Sequence, residues 1–353
     1  MVKKGELNLT FGTILILIST FILSLFGADT TQNTETNTIQ IIDETSNRNL
    51  EIYFCPRDNC STQLINTLNK ATKQINCAFQ EFDNFNTSSL LVEKSKQGVE
   101  INLIIEDKYK DEEGLEPLRN SKIEIKTDNK NSKLMHHKFC VIDNEIVLTG
   151  STNPTPNGLY KNNNNMLVIY SKTLASFYNK EFNENLLQNK FQKKKTNFDF
   201  PIINLTTLTD NQTYIINIEM CPSEQCLSKT LNILNKAERE ILFANFVLTQ
   251  NDIEQLLLDK ANANVIVMGV VENRLKNVKG TMIQELNETF PISIDKNKNT
   301  MHHKFFIVDE EYVITGSMNP SASGVSGNDE NLIIIRNKEL AKQFKEEFNL
   351  LNY

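Results

Sequence analysis

The sequence predicts a mixed α/β protein made of two copies of one unit, preceded by an apolar N-terminal helix. Three observations support this prediction. A shift of 166 positions aligns much of the first half with the second, strand-like runs alternate with helix-like stretches in each half, and residues 7–28 are almost uncharged. At 353 residues and 39% hydrophobic content, the chain is long enough to bury a core in each copy.

The N-terminal 28 residues are predicted to anchor the chain in a membrane. Lys3 and Lys4 precede the apolar stretch 7–28, and about 20 apolar residues suffice to span a bilayer as a helix. Residues 24–28 (SLFGA) make a poor cleavage site, so an uncut anchor is preferred over a cleaved signal peptide. Lysines on the cytoplasmic side would put the rest of the chain outside. The expected location is the cell membrane, with secretion after cleavage as the alternative.

The remaining chain divides by composition and by the repeat. Residues 29–48 are rich in Thr, Asn and Asp and are typical of a flexible tether. The predicted units are the anchor 1–28, the tether 29–48, a first repeat 49–187, a linker 188–213 and a second repeat 214–353. The run Lys193–Lys195 in the linker is predicted to be a solvated face, with a phosphate-facing patch as the alternative.

The repeat is visible in residue identities as well as in pattern. Leu68-Asn69-Lys70-Ala71 corresponds to Leu234-Asn235-Lys236-Ala237, and Met135-His136-His137-Lys138-Phe139 corresponds to Met301-His302-His303-Lys304-Phe305. β-branched runs and helical spacing of apolar residues predict the elements of each copy. Strands are predicted at 50–54, 99–105, 139–142, 146–149 and 166–170 and at 214–220, 265–271, 305–308, 312–315 and 332–335, and helices at 62–73, 171–187, 228–239 and 337–351.

Two pairs of cysteines share one spacing, Cys55 with Cys60 and Cys221 with Cys226. In an oxidising compartment each pair would close a small local disulfide. A zinc site is the rival interpretation, but zinc ligand pairs usually lie closer together in sequence, and free thiols stay open. Cys77 and Cys140 lie in apolar runs and are predicted to be buried core residues.

All four histidines of the chain fall in two copies of one motif. The first copy reads His136-His137-Lys138, then Asp143, then Gly150-Ser151-Thr152-Asn153. The second reads His302-His303-Lys304, then Asp309, then Gly316-Ser317-Met318-Asn319, with the same spacing. One such pattern is a weak signal, whereas two copies at equal spacing indicate a functional site.

Strand geometry explains the spacing within the motif. Alternate residues of a strand share a face, so His136 and Lys138 point the same way, as do His302 and Lys304. The second histidine of each doublet therefore points away from the site and is predicted to be structural.

These residue types suit phosphoryl transfer. A neutral imidazole attacks phosphorus, and a protonated imidazole can donate a proton to the leaving oxygen because its pKa lies near neutrality. Lysine and asparagine side chains stabilise negative charge on the non-bridging oxygens. One histidine cannot fill both roles, but two copies meeting at a pseudo-twofold interface supply both. The sequence therefore predicts a phosphodiesterase that forms a covalent phosphohistidine, with no metal or other cofactor because no carboxylate cluster is evident.

With this motif in both halves, the chain resembles the phospholipase D superfamily over about residues 48–353. The resemblance implies two duplicated α-β-α sandwich repeats related by a pseudo-twofold axis. It implies phosphate binding by Lys138, Lys304, Asn153 and Asn319, a place beside the phosphate for Ser151 and Ser317, and a structural role for Asp143 and Asp309.

The two halves differ at a position that the family usually fills with a carboxylate. Glu330 lies 28 residues after His302, and the equivalent residue after His136 is Asn164. An amide cannot stabilise an imidazolium as a carboxylate can, so the halves are chemically unequal. The sequence leaves open which histidine Glu330 serves. The resemblance favours His136 as the nucleophile and His302 as the acid.

The substrate is less well defined than the reaction. A net charge of −7 argues against a broad nucleic-acid footprint, and with the anchor it slightly favours hydrolysis of a phospholipid headgroup bond. The compact build also resembles small nucleases and cardiolipin hydrolases of the superfamily. An endonuclease, a cardiolipin-synthase-like transferase and a non-catalytic pseudoenzyme are therefore the alternatives. Loops 154–164 and 320–329 are expected to line the entrance, and a monomer is expected because one chain holds both half-sites.

Overall fold

The computed structural model describes residues 40–129, 132–195 and 200–351. The predicted membrane segment 7–28 and residues 29–39 of the predicted tether lie outside these ranges. Within the described part of the chain, no helix has both the length and the apolar character needed to cross a membrane.

Strands and helices alternate along the described chain. The strands are β1 (Ile41–Ser46), β2 (Glu51–Cys55), β3 (Gln74–Phe79), β4 (Glu100–Ile105), β5 (Ile125–Thr127), β6 (Lys138–Ile142), β7 (Ile146–Gly150), β8 (Asn164–Tyr170), β9 (Ile202–Thr207), β10 (Gln212–Cys221), β11 (Glu240–Asn245), β12 (Ile266–Val271), β13 (Ile292–Ile294), β14 (Lys304–Val308), β15 (Tyr312–Gly316) and β16 (Glu330–Arg336). The helices are α1 (Cys60–Asn69), α2 (Phe85–Lys96), α3 (Glu116–Arg119), α4 (Pro156–Tyr160), α5 (Lys172–Gln188), α6 (Glu224–Leu234), α7 (Asn251–Asn262), α8 (Ile283–Thr289), α9 (Ala322–Ser326) and α10 (Lys338–Leu351), with short 3₁₀ turns at Asp107–Tyr109, Glu113–Leu115 and Asn273–Leu275.

The described strands form two sheets with matching strand orders. One sheet has the order β2-β8-β7-β6-β3-β4-β5, and the other has the order β1-β9-β10-β16-β15-β14-β11-β12-β13. The last seven strands of the second sheet follow the order of the first sheet, one sequence repeat later. The predicted mixed α/β fold with two equivalent halves is therefore what the chain adopts.

The largest hydrophobic core is shared by the two halves. Inner-face residues of both sheets, such as Phe139 and Phe305, pack there with apolar residues of α5 and α10, such as Phe182 and Phe348. The outer face of each sheet has a core of its own, which contains Leu64 of α1 in the first half and Leu257 of α7 in the second. Because successive side chains of a strand point to opposite faces of the sheet, each strand contributes to the shared core and to the outer core.

The predicted tether and linker contain regular structure. Residues 41–46, predicted to be part of the flexible tether, form β1, which pairs in parallel with β9 inside the predicted linker 188–213. That part of the tether prediction is wrong. Exposed and half-buried residues alternate along β1, so this edge strand has no buried apolar residue that would make it stand out in the sequence.

Three disulfides cross-link the fold. Cys55 is joined to Cys60 and Cys221 to Cys226, as predicted from their spacing. Cys77 and Cys140 are buried, as expected, but they also form a disulfide. The two lie directly opposite each other on β3 and β6, a pairing that their separation of 63 residues conceals in the sequence.

Candidate active site

His136 and His302 line one cavity of about 390 Å³, and both repeats contribute to its walls. Each histidine comes immediately before the strand that carries its motif lysine, β6 or β14. The two sequence positions, 166 residues apart, therefore meet at a single site. Asn153 and Asn319 line the same cavity.

Backbone hydrogen bonds between the repeats hold the two histidines in place. The amide of His136 donates to the carbonyl of Asp329 at 2.9 Å, and the amide of His302 donates to the carbonyl of Asn163 at 2.8 Å. Each motif segment is thus attached to the strand entry of the opposite repeat. The residue that follows each carbonyl, Glu330 or Asn164, is the one that reaches the imidazole.

Glu330 serves His136. Its Oε2 lies 2.6 Å from Nδ1 of His136, and the carboxylate also accepts bonds from the Ser317 hydroxyl at 2.7 Å and the Asn328 amide at 3.2 Å. Burial raises the pKa of Glu330 to about 7 and lowers the pKa of His136 well below its usual value. Near neutral pH the imidazole is therefore unprotonated at Nε2, as a nucleophile must be.

Asn164 serves His302 in the equivalent way, but without a charge. Its Oδ1 lies 2.9 Å from Nδ1 of His302, and the Ser151 carbonyl lies 3.2 Å from the same nitrogen. Asn164 donates its Nδ2 to the Gly158 carbonyl, which fixes the direction of its amide. Because both groups facing Nδ1 are oxygen acceptors, Nδ1 carries the proton and Nε2 is left for the cavity.

Lys138 and Lys304 add two buried positive charges beside the histidines. Their ammonium groups donate to the carbonyls of His136 and His302, at 2.8 and 2.7 Å, and Lys138 also lies 3.3 Å from Gln80 Oε1. Burial lowers the pKa of Lys138 to about 8, and burial with the charge of Lys138 holds the pKa of Lys304 well below its usual value. An anion between the two groups would offset both shifts, so the electrostatics are those of an anion site.

The motif serines contact the partners of the two imidazoles. Ser151 donates to Oδ1 of Asn164 at 3.0 Å, and Ser317 donates to Glu330. Both serines are fully buried behind the imidazole partners, and neither lines the cavity. In this structure the two hydroxyls orient Asn164 and Glu330, and the place beside the phosphate that the resemblance implied for them stays a prediction.

The position before each motif serine requires glycine. Gly150 and Gly316 have φ values of +138° and +125°, a region that side chains rarely adopt. A Cβ atom at Gly150 would lie 2.3 Å from the carbonyl oxygen of Asn165, and one at Gly316 would lie 2.2 Å from that of Asn331. Only glycine permits this close approach of β7 to β8 and of β15 to β16.

The motif aspartates are structural, as the resemblance implied. Asp143 accepts hydrogen bonds from the backbone amides of Thr72, Lys73 and Gln74, and these bonds lower its pKa. Asp309 does the same for residues 238–240. These contacts begin just past α1 and α6, which end several residues earlier than the predicted helices 62–73 and 228–239.

The second histidine of the first doublet points away from the cavity, as predicted. Nε2 of His137 lies 3.0 Å from Glu181 of α5, and Lys195 lies 2.9 Å from the same carboxylate and 3.2 Å from Asp329. Lys195 is buried, which overturns the predicted solvated face for this member of the lysine run. Its charge is used to join helix α5 to the residue before Glu330.

His303 has an equivalent set of partners from other parts of the chain. Its Nε2 lies 3.1 Å from Glu347 of α10, and Arg57 lies 2.6 Å from Oε2 of that carboxylate. Arg57 belongs to the loop closed by the Cys55–Cys60 disulfide. Each second histidine therefore has a buried glutamate partner that is paired with a cation from another segment, buried Lys195 in one case and exposed Arg57 in the other.

Several cavity residues lie outside the two copies of the histidine motif. Gln80, Glu81, Tyr109 and Phe246 all line the cavity. The 166-residue offset pairs Gln80 with Phe246. A comparison of the residues that follow equivalent strands in the two halves would therefore have identified these positions. Of the loops expected at the entrance, 154–164 contributes several lining residues, whereas 320–329 contributes Asn328 alone among the cavity residues.

In residues 40–129, 132–195 and 200–351, no group of three or more His, Cys, Asp or Glu side chains is arranged to hold a metal ion.

Fold and site together define a two-repeat α/β protein with one paired-histidine anion site. The chain matches the family described as "Cardiolipin synthase, PLD-like domain" over residues 64–186 and 230–351. Because the two matches together cover more than half of the sequence, the chain belongs to this phospholipase D-like family, with one domain in each half.

Individual relatives agree with this family. The chain is 29% identical over 126 residues to the mitochondrial cardiolipin hydrolase of Chlamydomonas reinhardtii, covering 35% of this chain and 56% of that one. It is 29% identical over 128 residues to a phospholipase D of Rickettsia conorii, covering 36% and 64%. The matches thus span between half and two thirds of these relatives.

A solved structure shares the fold over a longer range. The phosphatidylserine synthase of Haemophilus influenzae superimposes with a TM-score of 0.60 at 13% identity, covering 84% of this chain and 85% of that one. This likeness concerns the fold alone.

Proposed function

We propose that this protein is a phosphodiesterase that hydrolyses a phosphodiester bond through a covalent phosphohistidine. The proposal depends on one observation: His136 and His302 line the same cavity, with Lys138 and Lys304 buried beside them. Relatives named cardiolipin hydrolase and phospholipase D support the same class of reaction. The matching strand orders support two α-β-α sandwiches related by a pseudo-twofold axis as the framework.

The unequal partners support His136 as the nucleophile. As Nε2 of His136 bonds to phosphorus, positive charge develops on the imidazole, and the Glu330 carboxylate at 2.6 Å stabilises it. Asn164 offers His302 no negative charge. A protonated His302 is therefore a stronger acid than His136, which suits the group that must release a proton.

The reaction then proceeds in two balanced steps. Burial and the neighbouring lysines lower the pKa of His302, and the negative charge of a bound phosphodiester acts in the opposite direction, so His302 enters the first step with a proton on Nε2 as well. In this step, the P–N bond to His136 forms, the P–O bond to the alcohol breaks, and His302 gives the Nε2 proton to the departing oxygen. In the second, neutral His302 takes a proton from water, the water oxygen bonds to phosphorus, and the P–N bond breaks. Lys138, Lys304, Asn153 and Asn319 would stabilise the charge on the non-bridging oxygens.

We favour a phospholipid substrate, cleaved between phosphate and headgroup, at an extracytoplasmic membrane surface. The net charge of −7 supports this choice, and three disulfides support an oxidising compartment. Since nucleophile and acid are both side chains, the proposed reaction needs no metal and should persist in EDTA.

The test uses bis(p-nitrophenyl) phosphate with the wild type and with His136→Ala and His302→Ala. Release of p-nitrophenolate by the wild type in EDTA is expected, with a loss of at least about 10³-fold in each variant. Lys194→Met, at an exposed position, is the control and should retain full activity. A wild type without turnover would leave the pseudoenzyme interpretation standing, and full loss in EDTA would refute the metal-independent route.

A further inference from the structure

The cavity has one polar, acidic wall, and the equivalent position in the opposite wall carries an aromatic ring. Gln80 and Glu81 follow β3 in the first repeat, and the residues at the same offset in the second repeat are Phe246 and Val247. The backbone is equivalent at both places. The backbone amide of Gln80 donates to the carbonyl of His137 at 3.0 Å, and the backbone amide of Phe246 donates to the carbonyl of His303 at 2.8 Å. The difference between the walls therefore lies in the side chains.

Glu81 is the charged group of the polar wall. It lines the cavity and is half-buried, and its charge acts to raise the pKa of both Lys138 and Lys304, which places it close to the two phosphate-binding cations. Tyr109 lines the same cavity, and burial together with the nearby Glu81 carboxylate raises the pKa of Tyr109 to about 12, so the phenol keeps a proton that it can donate to this carboxylate.

The aromatic ring of the opposite wall lies beside the second histidine. The ring centroid of Phe246 lies 4.8 Å from that of His302 and 5.0 Å from the ammonium nitrogen of Lys304. A substrate whose phosphate lies between the lysines meets a carboxylate on one side and an aromatic ring on the other. The residue that corresponds to Tyr109 by the repeat offset is Leu275, so the second repeat lacks the orienting hydroxyl as well.

From this asymmetry we infer that Glu81, oriented by Tyr109, binds an ammonium group carried by one substituent of the phosphodiester. This inference rests on the proposed phosphodiesterase function. A carboxylate one group away from the phosphate attracts a zwitterionic substrate and repels a second phosphate. Glu81 therefore selects zwitterionic phosphodiesters and disfavours nucleic acid, whose neighbouring phosphates would face the same carboxylate.

The test compares two esters that lose the same p-nitrophenolate: p-nitrophenyl phosphorylcholine, which carries an ammonium group, and bis(p-nitrophenyl) phosphate, which does not. Glu81→Gln should lower the ratio of kcat/KM for the choline ester to kcat/KM for the other ester about tenfold or more, because any effect through the charges of Lys138 and Lys304 is common to both esters. Tyr109→Phe should produce a smaller loss in the same direction. Glu113→Gln, which removes an exposed charge outside the cavity wall, should leave both values unchanged.

The outcomes separate this inference from the proposed function. If the wild type cleaves neither ester, the phosphodiesterase proposal itself fails. If the wild type cleaves both and Glu81→Gln lowers both equally, Glu81 is only a counter-ion of the lysines and the inference is overturned. Single-stranded DNA provides a third arm: faster cleavage by Glu81→Gln than by the wild type supports repulsion, whereas a wild type that prefers DNA to the choline ester overturns the selectivity.

Discussion

His136 and His302 occupy equivalent positions in the two repeats, yet a carboxylate holds one and an amide holds the other. Serine hydroxyls orient both partners in the same way, through Ser317 and Ser151. The duplication therefore kept the hydrogen-bond geometry and changed the charge. At the scale of single residues, this one difference divides the roles of the two imidazoles.

Replacement of Glu330 by Gln should separate geometry from charge. The amide can keep a hydrogen bond to His136 but cannot stabilise the positive imidazole, so kcat should fall by about a hundredfold or more with little change in KM. Steady-state kinetics on bis(p-nitrophenyl) phosphate measure both constants. Asn164→Asp is the matched variant, and it should raise the pKa of His302 without comparable loss. A wild-type kcat in Glu330→Gln would argue against His136 as the nucleophile.

The pH dependence of kcat/KM should have its maximum between about pH 7 and pH 8. As pH falls through about 7, Glu330 gains a proton and loses the negative charge that supports His136. As pH rises through about 8, Lys138 loses a proton and with it the charge that binds phosphate. Initial rates at low substrate concentration across pH 5–10 measure this profile. A flat profile would contradict both assignments.

At the scale of elements, α5 and α10 support the strands that follow His136 and His302. Each helix supplies a buried glutamate, Glu181 or Glu347, to the second histidine of a doublet. The cations that complete these contacts come from outside the helices, Lys195 from the segment between the repeats and Arg57 from the disulfide-closed loop. The catalytic strands are thus held by contacts that cross from one repeat to the other.

Two neighbouring lysines test how much the buried contact contributes. Lys195→Met removes the partner of two buried carboxylates, Glu181 and Asp329, and should lower the free energy of unfolding by about 3–5 kcal/mol. Lys194→Met removes an exposed pair with Glu224 and should leave the free energy of unfolding nearly unchanged, because solvent screens such a pair. Urea denaturation followed by circular dichroism measures both. Equal free energies of unfolding for the two variants would mean that other groups compensate the charges of Glu181 and Asp329.

The sequence predicted those features that are local or repeated. The strands around Lys138 and Lys304 were predictable because β-branched runs flank them. The opposite orientations of the two histidines in each doublet were predictable because side chains alternate between the two faces of a strand. The disulfide between Cys77 and Cys140, the pairing of β1 with β9 and the burial of Lys195 depend on residues distant in the chain. Whether Glu330 served His136 or His302 could be settled only when the two halves were placed together.

At the scale of the whole molecule, the disulfides differ in how much chain they enclose. Cys77–Cys140 spans 63 residues of the first repeat, whereas Cys55–Cys60 and Cys221–Cys226 each span five. A cross-link that closes a longer loop removes more conformational freedom from the unfolded chain. The long disulfide should therefore contribute most to stability, and the short ones should act mainly on their own loops.

Removal of the long disulfide is therefore expected to be the most costly. Cys77→Ala with Cys140→Ala should lower the free energy of unfolding by about 4 kcal/mol, against about 2 kcal/mol for Cys221→Ala with Cys226→Ala. Differential scanning calorimetry under non-reducing conditions ranks the two variants by Tm. The reverse ranking would show that packing around the removed sulfurs outweighs loop closure.

Strand β1 has a practical consequence for the preparation of this protein without its N-terminal segment. It pairs with β9 of the second sheet, and Glu44 accepts bonds from Ser171 at 2.5 Å and from the amide of Lys172 at 2.7 Å, at the start of α5. A truncation at residue 48 would strip this strand away and leave β9 with open backbone groups that invite aggregation. Soluble versions should therefore keep the chain from residue 40 onward.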